Sequence, residues 1–353
     1  MACLVDKAFW KGRRVLVTGH TGFKGTWASL WLHTMGAKVC GIALEPETDP
    51  NLYEIAKLSQ DVDSRIGDIR DREFLTRNVA EINPQIVLHM AAQPLVRRSI
   101  GRPVETFETN VMGTVHLLEA LRRSNELEAI LVITTDKVYE NPETGTAFRE
   151  TDPLGGHDPY SASKAATELI VASYRQTYFN LQNVPLATAR GGNVIGGGDF
   201  SEDRIVPDVI RSLQDNKFIE LRNPESSRPW QHILDCLEGY FAYAQSLAQR
   251  NKLPHSLNFG PINSPDISVQ ILVESLQKAL KIKGGWIQSK ERHPREMKLL
   301  SLDCSLANKH LGFTDRLVGE NAIKATADWY SAYFGGEDMR ASMLQSIEKR
   351  MSP

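Results

Sequence analysis

The sequence predicts a doubly wound α/β fold: a parallel sheet with helices on both faces, joined to a smaller C-terminal α/β part. Three observations predict it. The chain opens as strand, glycine-rich turn, helix and strand before Glu45. Short apolar strands then alternate with helical stretches to about Arg190. Its 353 residues, 41% apolar and 24% charged, have the length and balance of an ordinary globular protein of about two domains.

The first element, Val15-Leu16-Val17, is a short apolar run ending in Thr18-Gly19, as a buried parallel strand does at a tight turn. Thr26 to Met35 carries apolar residues at helical spacing, and Gly36 is its stop signal. Lys38 to Leu44 reads as the second strand. Ile86 to Met90 reads as another, ending in Ala91-Ala92. Val111 to Leu121 is a helix, Ile130 to Thr134 a buried strand, Ala162 to Tyr178 a long helix and Leu186 to Ala189 a strand. The texture then changes at Gly191-Gly192 and Gly196-Gly197-Gly198. The amphipathic helix Ile233 to Ala248 and the strand Leu257 to Phe259 are expected to return to the first part. This divides the chain into a dinucleotide-binding part, 1–190 plus 233–260, and a substrate part, 191–232 plus 261–353, with a ligand cleft between them.

Composition excludes some functions. Lys plus Arg is 41 and Asp plus Glu is 43, so bulk charge does not equip the chain for nucleic acid or an anionic membrane surface. No apolar run is long enough to span a bilayer, and residues 1–14 do not read as a signal peptide. Cys3, Cys40, Cys236 and Cys304 form no CxxC pair and no Cys–His spacing suited to zinc, so no metal is expected. Free thiols point to a reducing compartment, and a cytoplasmic location is the expectation.

Gly19-His20-Thr21-Gly22-Phe23-Lys24-Gly25 spells GxxGxxG between strand and helix. Glycines let the backbone pass close to a pyrophosphate, and the helix N-terminus offers unpaired N–H groups to it. The expected Rossmann cofactor site comprises Gly19, Thr21, Gly22, Phe23, Lys24 and Gly25, continued by Ala91, Ala92 and Gln93 after the later strand. The slot for a ribose-binding acid falls on Ala43, and Glu45 stands two residues on. No Arg occupies it, so NAD fits better than NADP. Gly67-Asp68-Ile69 resembles an element that holds an adenine edge, including Asp68 and Ile69, and Asp68 reads equally as a loop carboxylate capping the following helix.

Tyr160-Ser161-Ala162-Ser163-Lys164 is a YxxxK, which places Tyr160 and Lys164 on one helix face. A nearby ammonium is expected to lower the Tyr160 pKa and make it a base. The motif alone is often a chance surface pair, but it follows a dinucleotide turn at a fitting distance. Thr135, at the C-terminal end of the strand Ile130 to Thr134, supplies a hydroxyl where open α/β sheets place ligands.

TGHTGFKGTW, HMAAQPLVRRS, TTDKVYE, DPYSASK, ARGGNVIGGGDF, RNPESSRPWQH and HPRE run over nearly the whole chain. With these motifs the chain resembles the nucleotide-sugar 4,6-dehydratases of the extended short-chain dehydrogenase/reductase family. The resemblance implies a hydro-lyase with tightly bound NAD, acting on a nucleotide sugar in deoxysugar synthesis for lipopolysaccharide. Tyr160 takes the C4 hydroxyl proton while the hydride leaves C4. A base removes the C5 proton, an acid protonates the departing C6 hydroxyl, and the hydride returns to C6. The family places Asp-Glu after the active-site Thr. Here Asp136 carries over as acid, and Lys137 replaces the glutamate, as base or as enolate stabiliser.

By the same resemblance, Arg98, Asn193, Arg204, Arg228, Gln231 and His293 hold the nucleotide sugar; Asn110, heading the helix Val111 to Leu121, reads as a buried structural amide. The choice among CDP, GDP and dTDP sugars does not follow from spacing. A nucleotide-sugar 4-epimerase is the competing enzyme reading, and Asp136 argues against it because an epimerase needs no acid for leaving water. A nucleotide-sensing scaffold is the non-enzymatic reading, opposed by the presence of Thr135, Asp136, Tyr160 and Lys164. The helices holding Val111 and Tyr160 are expected to pair across a two-fold in a homodimer or homotetramer.

Overall fold

The computed structural model describes residues 3–215, 217–262, 267–281, 285–290 and 300–352. Its centre is a seven-stranded parallel sheet. The strands are β1 (Arg14–Thr18), β2 (Lys38–Ala43), β3 (Asp63–Ile66), β4 (Ile86–His89), β5 (Ala129–Thr135), β6 (Leu186–Gly191) and β7 (Ser256–Phe259). They lie in the order β7-β6-β5-β4-β1-β2-β3. The order reverses between β1 and β4, so a crevice opens at the C-terminal ends of these strands. Residues of β1, β4, β5 and β6 are almost wholly buried and β-branched or aliphatic, as a sheet covered on both faces requires.

Two helices, α1 (Phe23–Thr34) and α5 (Ile233–Ala248), share one hydrophobic core with the C-terminal helices. On the other face α2 (Arg72–Ile82), α3 (Gly113–Leu121) and α4 (Pro159–Tyr174) pack a second core. The strand β7 lies against β6 in the same sheet.

Local chemistry accounts for where the helices begin and end. The helix α1 begins at Phe23, earlier than its apolar spacing indicates, because extended Gly22 stands as its cap. It stops at Gly36, whose φ of +83° suits only glycine at low cost. Asp158 caps α4 by accepting from Ser161 N at 2.9 Å, with Pro159 in the first turn.

The expected helix Val111 to Leu121 is regular only from Gly113. A wider π-turn, Glu108–Met112, precedes it. There the Asn110 carbonyl accepts from Thr114 Oγ1 at 2.7 Å and Thr167 Oγ1 at 3.0 Å, so side chains take part of the helical pairing. The helix α4 likewise ends at Tyr174 and continues as the π-turn Arg175–Phe179.

The C-terminal part is more helical than its irregular pattern suggests. Helices Glu320–Phe334 and Met339–Met351 complete the core around α1 and α5. Arg350 from the last helix is buried between Asp235 and Glu238 of α5, which ties the end of the chain to the sheet.

Candidate active site

The crevice is a cleft of about 1440 Å³, lined from both parts of the chain. Its floor begins at the turn after β1. Gly19 has φ +79°, and a methyl group there would stand 2.8 Å from Ala91 N. A methyl on Gly25 would strike the Gly19 carbonyl, so this glycine lets the first turn of α1 pack against the loop. Thr21 Oγ1 donates to the Leu44 carbonyl at 2.8 Å and closes the turn onto β2. The result is a bare backbone surface at a helix N-terminus, the shape and polarity a dinucleotide pyrophosphate needs.

The strand ends are locked together behind it. Thr18 Oγ1 accepts from Met90 N and Ala91 N, each at 3.1 Å, and contacts His89 Nδ1 at 2.7 Å. Burial pushes the His89 pKa down to about 3, so the ring is neutral and joins Thr18 to Thr114.

Glu45, Asp68, Ile69, Ala91, Ala92 and Gln93 all line the cleft. Asp68 does not cap the following helix. Asp71 does, accepting from Glu73 N and Phe74 N, while Asp68 holds Arg70. Gln93 is a loop-building residue: its amide contacts Leu95 N, the Leu95 carbonyl and Thr106, and its backbone pairs with Asn110. Asn110, 2% exposed, also donates to Ser163 Oγ, and is the buried structural amide the sequence indicates.

The reactive groups converge at the end of β5. Thr135 Oγ1 donates to Asp136 Oδ1 at 2.9 Å, and Lys137 Nζ lies 3.4 Å from the same oxygen. Asp136 is fully buried, and its other oxygen, Oδ2, has no hydrogen-bond partner among the described residues. Tyr160 reaches this group from α4, its phenol beside Thr135.

The expected pKa relation between Tyr160 and Lys164 is overturned. Burial pushes the Tyr160 phenol up to about 12, against the opposing Thr135 contact. The Lys164 ammonium instead donates to the Ile133 carbonyl at 3.0 Å. Burial, with Lys24 nearby, lowers Lys164 to about 8.

The sugar-side expectations divide. Asn193, Arg204 and Arg228 line the cleft. Arg204 Nη1 pairs with Asp199 Oδ2 at 3.1 Å, and Arg228 Nη1 donates to the Ser227 carbonyl. Arg98 also lines the cleft, but its guanidinium bridges Glu47 and Glu202 at 2.7 and 2.8 Å across the mouth. Gln231 does not face the cleft. It is fully buried and donates to Asp315 Oδ1 at 2.8 Å, because its short strand pairs inward with Val194–Ile195. His293 lies outside the described residues.

Sequence reasoning missed Asp199, Arg211 and Arg222, which also line the cleft. Asp199 is 3% exposed, and the Gly196-Gly197-Gly198 run before it was the available signal of a loop shaped for close approach.

The chain is similar to known proteins over most of its length. Residues 16–326 match the model of a family described as GDP-mannose 4,6 dehydratase. A CDP-glucose 4,6-dehydratase of Salmonella typhimurium is 46% identical over 99% of both chains. A dTDP-glucose 4,6-dehydratase of Xanthomonas campestris is 29% identical, covering 89% of this chain and 92% of its own. Among solved structures, an epimerase from Methanothermobacter thermautotrophicus superposes with a TM-score of 0.80 at 21% identity, over 96% of this chain and 98% of its own. The chain therefore belongs to the GDP-mannose 4,6-dehydratase family, within the extended short-chain dehydrogenase/reductases.

Proposed function

We propose that the chain is an NAD-dependent CDP-D-glucose 4,6-dehydratase, converting CDP-D-glucose to CDP-4-keto-6-deoxy-D-glucose and water. One observation carries this reading: Thr135, Lys137 and Tyr160 line the cleft whose floor is the glycine turn, and Asp136 is buried against Thr135 and Lys137 at the end of β5. The 46% identity to the Salmonella typhimurium enzyme supports the choice of CDP-glucose.

NAD, when bound, accepts the C4 hydride and returns it to C6, so the net change is loss of water. The backbone cradle at Gly19 and Gly25, which added methyl groups would fill, suits its pyrophosphate. Tyr160 takes the C4 hydroxyl proton and Thr135 orients that oxygen. Lys137, as the free amine, takes the proton from C5, made acidic by the C4 ketone, and gives a solvent-exchanged proton back there at the end. Asp136 gives its proton to the C6 hydroxyl as that group leaves. Asn193, Arg204 and Arg228 face the nucleotide sugar.

The partition into 1–190 plus 233–260 and 191–232 plus 261–353 belongs to the same proposal, as does a cytoplasmic location, which four free thiols support. A homodimer through α3 and α4 does too. Val104, Phe107, Met112 and Leu169 are large exposed apolar side chains on these helices and the turns before α3, a surface suited to a second copy.

The test is a panel of CDP-, dTDP-, GDP- and UDP-hexoses with product identification. The expected product is the 4-keto-6-deoxy sugar from CDP-glucose. Formation of CDP-galactose alone would replace this reading with a 4-epimerase.

A further inference from the structure

The helix α5 packs on the sheet face opposite α4, yet one of its side chains reaches the reactive group. Tyr240 is 1% exposed and does not line the cleft. Its hydroxyl ends against Gly191, the last residue of β6. A methyl group there would overlap that hydroxyl, while clearing the ring carbon Cζ by 3.4 Å and Lys24 Nζ by 4.0 Å. At the next residue, Gly192, a methyl would stand 3.4 Å from Asp136 Oδ2. The Lys24 ammonium lies 6.0 Å from the Tyr240 ring centre. Gly191 thus leaves room for the Tyr240 hydroxyl, Gly192 beside it stands against Asp136 Oδ2, and Asp136 acts electrostatically on both Tyr240 and Lys24.

Two of those atoms are unsatisfied. Tyr240 Oη and Asp136 Oδ2 are both buried without a hydrogen-bond partner among the described residues. The Cys236 thiol beside Tyr240 is a weak partner and meets no hydrogen-bond geometry with it. Buried polar atoms are rarely left unpaired, and exceptions concentrate where a site uses them. Asp136 Oδ1 already holds Thr135 and Lys137, so a proton carried by Asp136 belongs on Oδ2. A phenol oxygen can accept from such a proton through one bridging water.

We infer that Tyr240 is a positioning residue for the leaving-water step, its hydroxyl holding the protonated Asp136 carboxyl ready for the C6 oxygen. This rests on the dehydratase reading above. The titratable groups facing Asp136 are Lys137 on its own turn, Lys24 from α1, Tyr160 from α4 and Tyr240 from α5. Only Tyr240 among them offers an acceptor without also taking part in C4 chemistry.

The test is Tyr240→Phe in the full-length enzyme with CDP-glucose, followed by single-turnover absorbance of the reduced cofactor. The expected result is a kcat about tenfold lower, the scale of one hydrogen bond to an ionisable group. KM for CDP-glucose stays unchanged. C4 oxidation keeps its rate and reduced cofactor accumulates. Gly191→Ala is a second probe. Alone it displaces the hydroxyl and slows dehydration, and in the Tyr240→Phe background it adds nothing, because the ring carbon leaves room for the methyl.

Wild-type dehydration with no reduced cofactor accumulating in Tyr240→Phe would overturn the assignment, as would an equal loss in both half-reactions. Absence of turnover by the wild-type enzyme on every nucleotide hexose would overturn the dehydratase reading and this assignment together. An active wild type with an unaltered Tyr240→Phe would overturn this assignment alone.

Discussion

Lys164 Nζ donates to the carbonyl of Ile133, 3.0 Å away, and so anchors α4 to β5 one strand residue before Thr134 and Thr135. The contact joins the helix carrying Tyr160 to the strand that ends at Thr135 and leads into Asp136. It also couples activity to pH. Burial lowers Lys164 to about 8, so its ammonium is present below that pH and lost above it. Turnover is therefore expected to fall above about pH 8, and Lys164→Met is expected to lack that limb. A pH profile of kcat/KM for both proteins checks it, and a retained limb in the variant would refute it.

Lys137 stands in the glutamate slot, with its Nζ 3.4 Å from Asp136 Oδ1. If it is the C5 base, Lys137→Ala is expected to slow solvent deuterium entry at C5 by about a hundredfold or more, the scale of general base catalysis. Mass spectrometry of the product measures this. Undiminished exchange would remove Lys137 from the base role.

Gly25→Ala drives a methyl into the Gly19 carbonyl, which is backbone and cannot swing away. The turn must open, and NAD affinity is expected to fall at least tenfold. Fluorescence titration with the cofactor reads the change. Wild-type affinity in the variant would show that the turn is not the pyrophosphate site.

Glu168 and Arg190 form a buried ion pair beneath the site, with side chains 3% and 4% exposed. Thr134 and Thr188 add hydrogen bonds to Glu168, and Tyr139 accepts from Arg190. Removing one partner strands the other charge in a dry interior. Arg190→Met is expected to cost about 3–5 kcal/mol, measured by urea denaturation, and a loss under about 1 kcal/mol would contradict it.

Asp315 is pushed up to about 7, first by burial and also by Asp235. Its folded value lies above its unfolded one. Its contribution to stability is therefore complete in acid, below the unfolded value, and is lost as pH rises through about 7. Asp315→Asn is expected to gain on the wild type in Tm from about pH 4 to about pH 7 and to hold a constant difference above. A flat difference across that range would contradict it.

Much of the fold was legible because its signals are local. The glycine turn, the apolar strands β1, β4, β5 and β6, and the Asp158-Pro159 start of α4 each depend on neighbouring residues, whose backbone preferences and apolar spacing act over a few positions. The same holds for Thr135, Asp136, Tyr160 and Lys164, which sit at a strand end or on one helix face and carry motifs of fixed spacing.

What the tertiary structure alone decided concerns contacts between distant segments. Gln231 carries a nucleotide-binding look in its motif, but pairing of its strand with Val194–Ile195 turns it inward to Asp315. Arg98 reads as a phosphate ligand until Glu47 and Glu202 are brought to it. Tyr240 gives no sign in the sequence, since only the empty side of Gly191 makes room for its hydroxyl. The sequence by itself determined the fold class, the cofactor turn and the reactive set, because short-range sterics and periodicity encode them. Burial, the direction of each pKa and the pairing of each charge were decided in the folded chain, because desolvation and Coulomb interactions depend on which groups folding brings within a few ångströms.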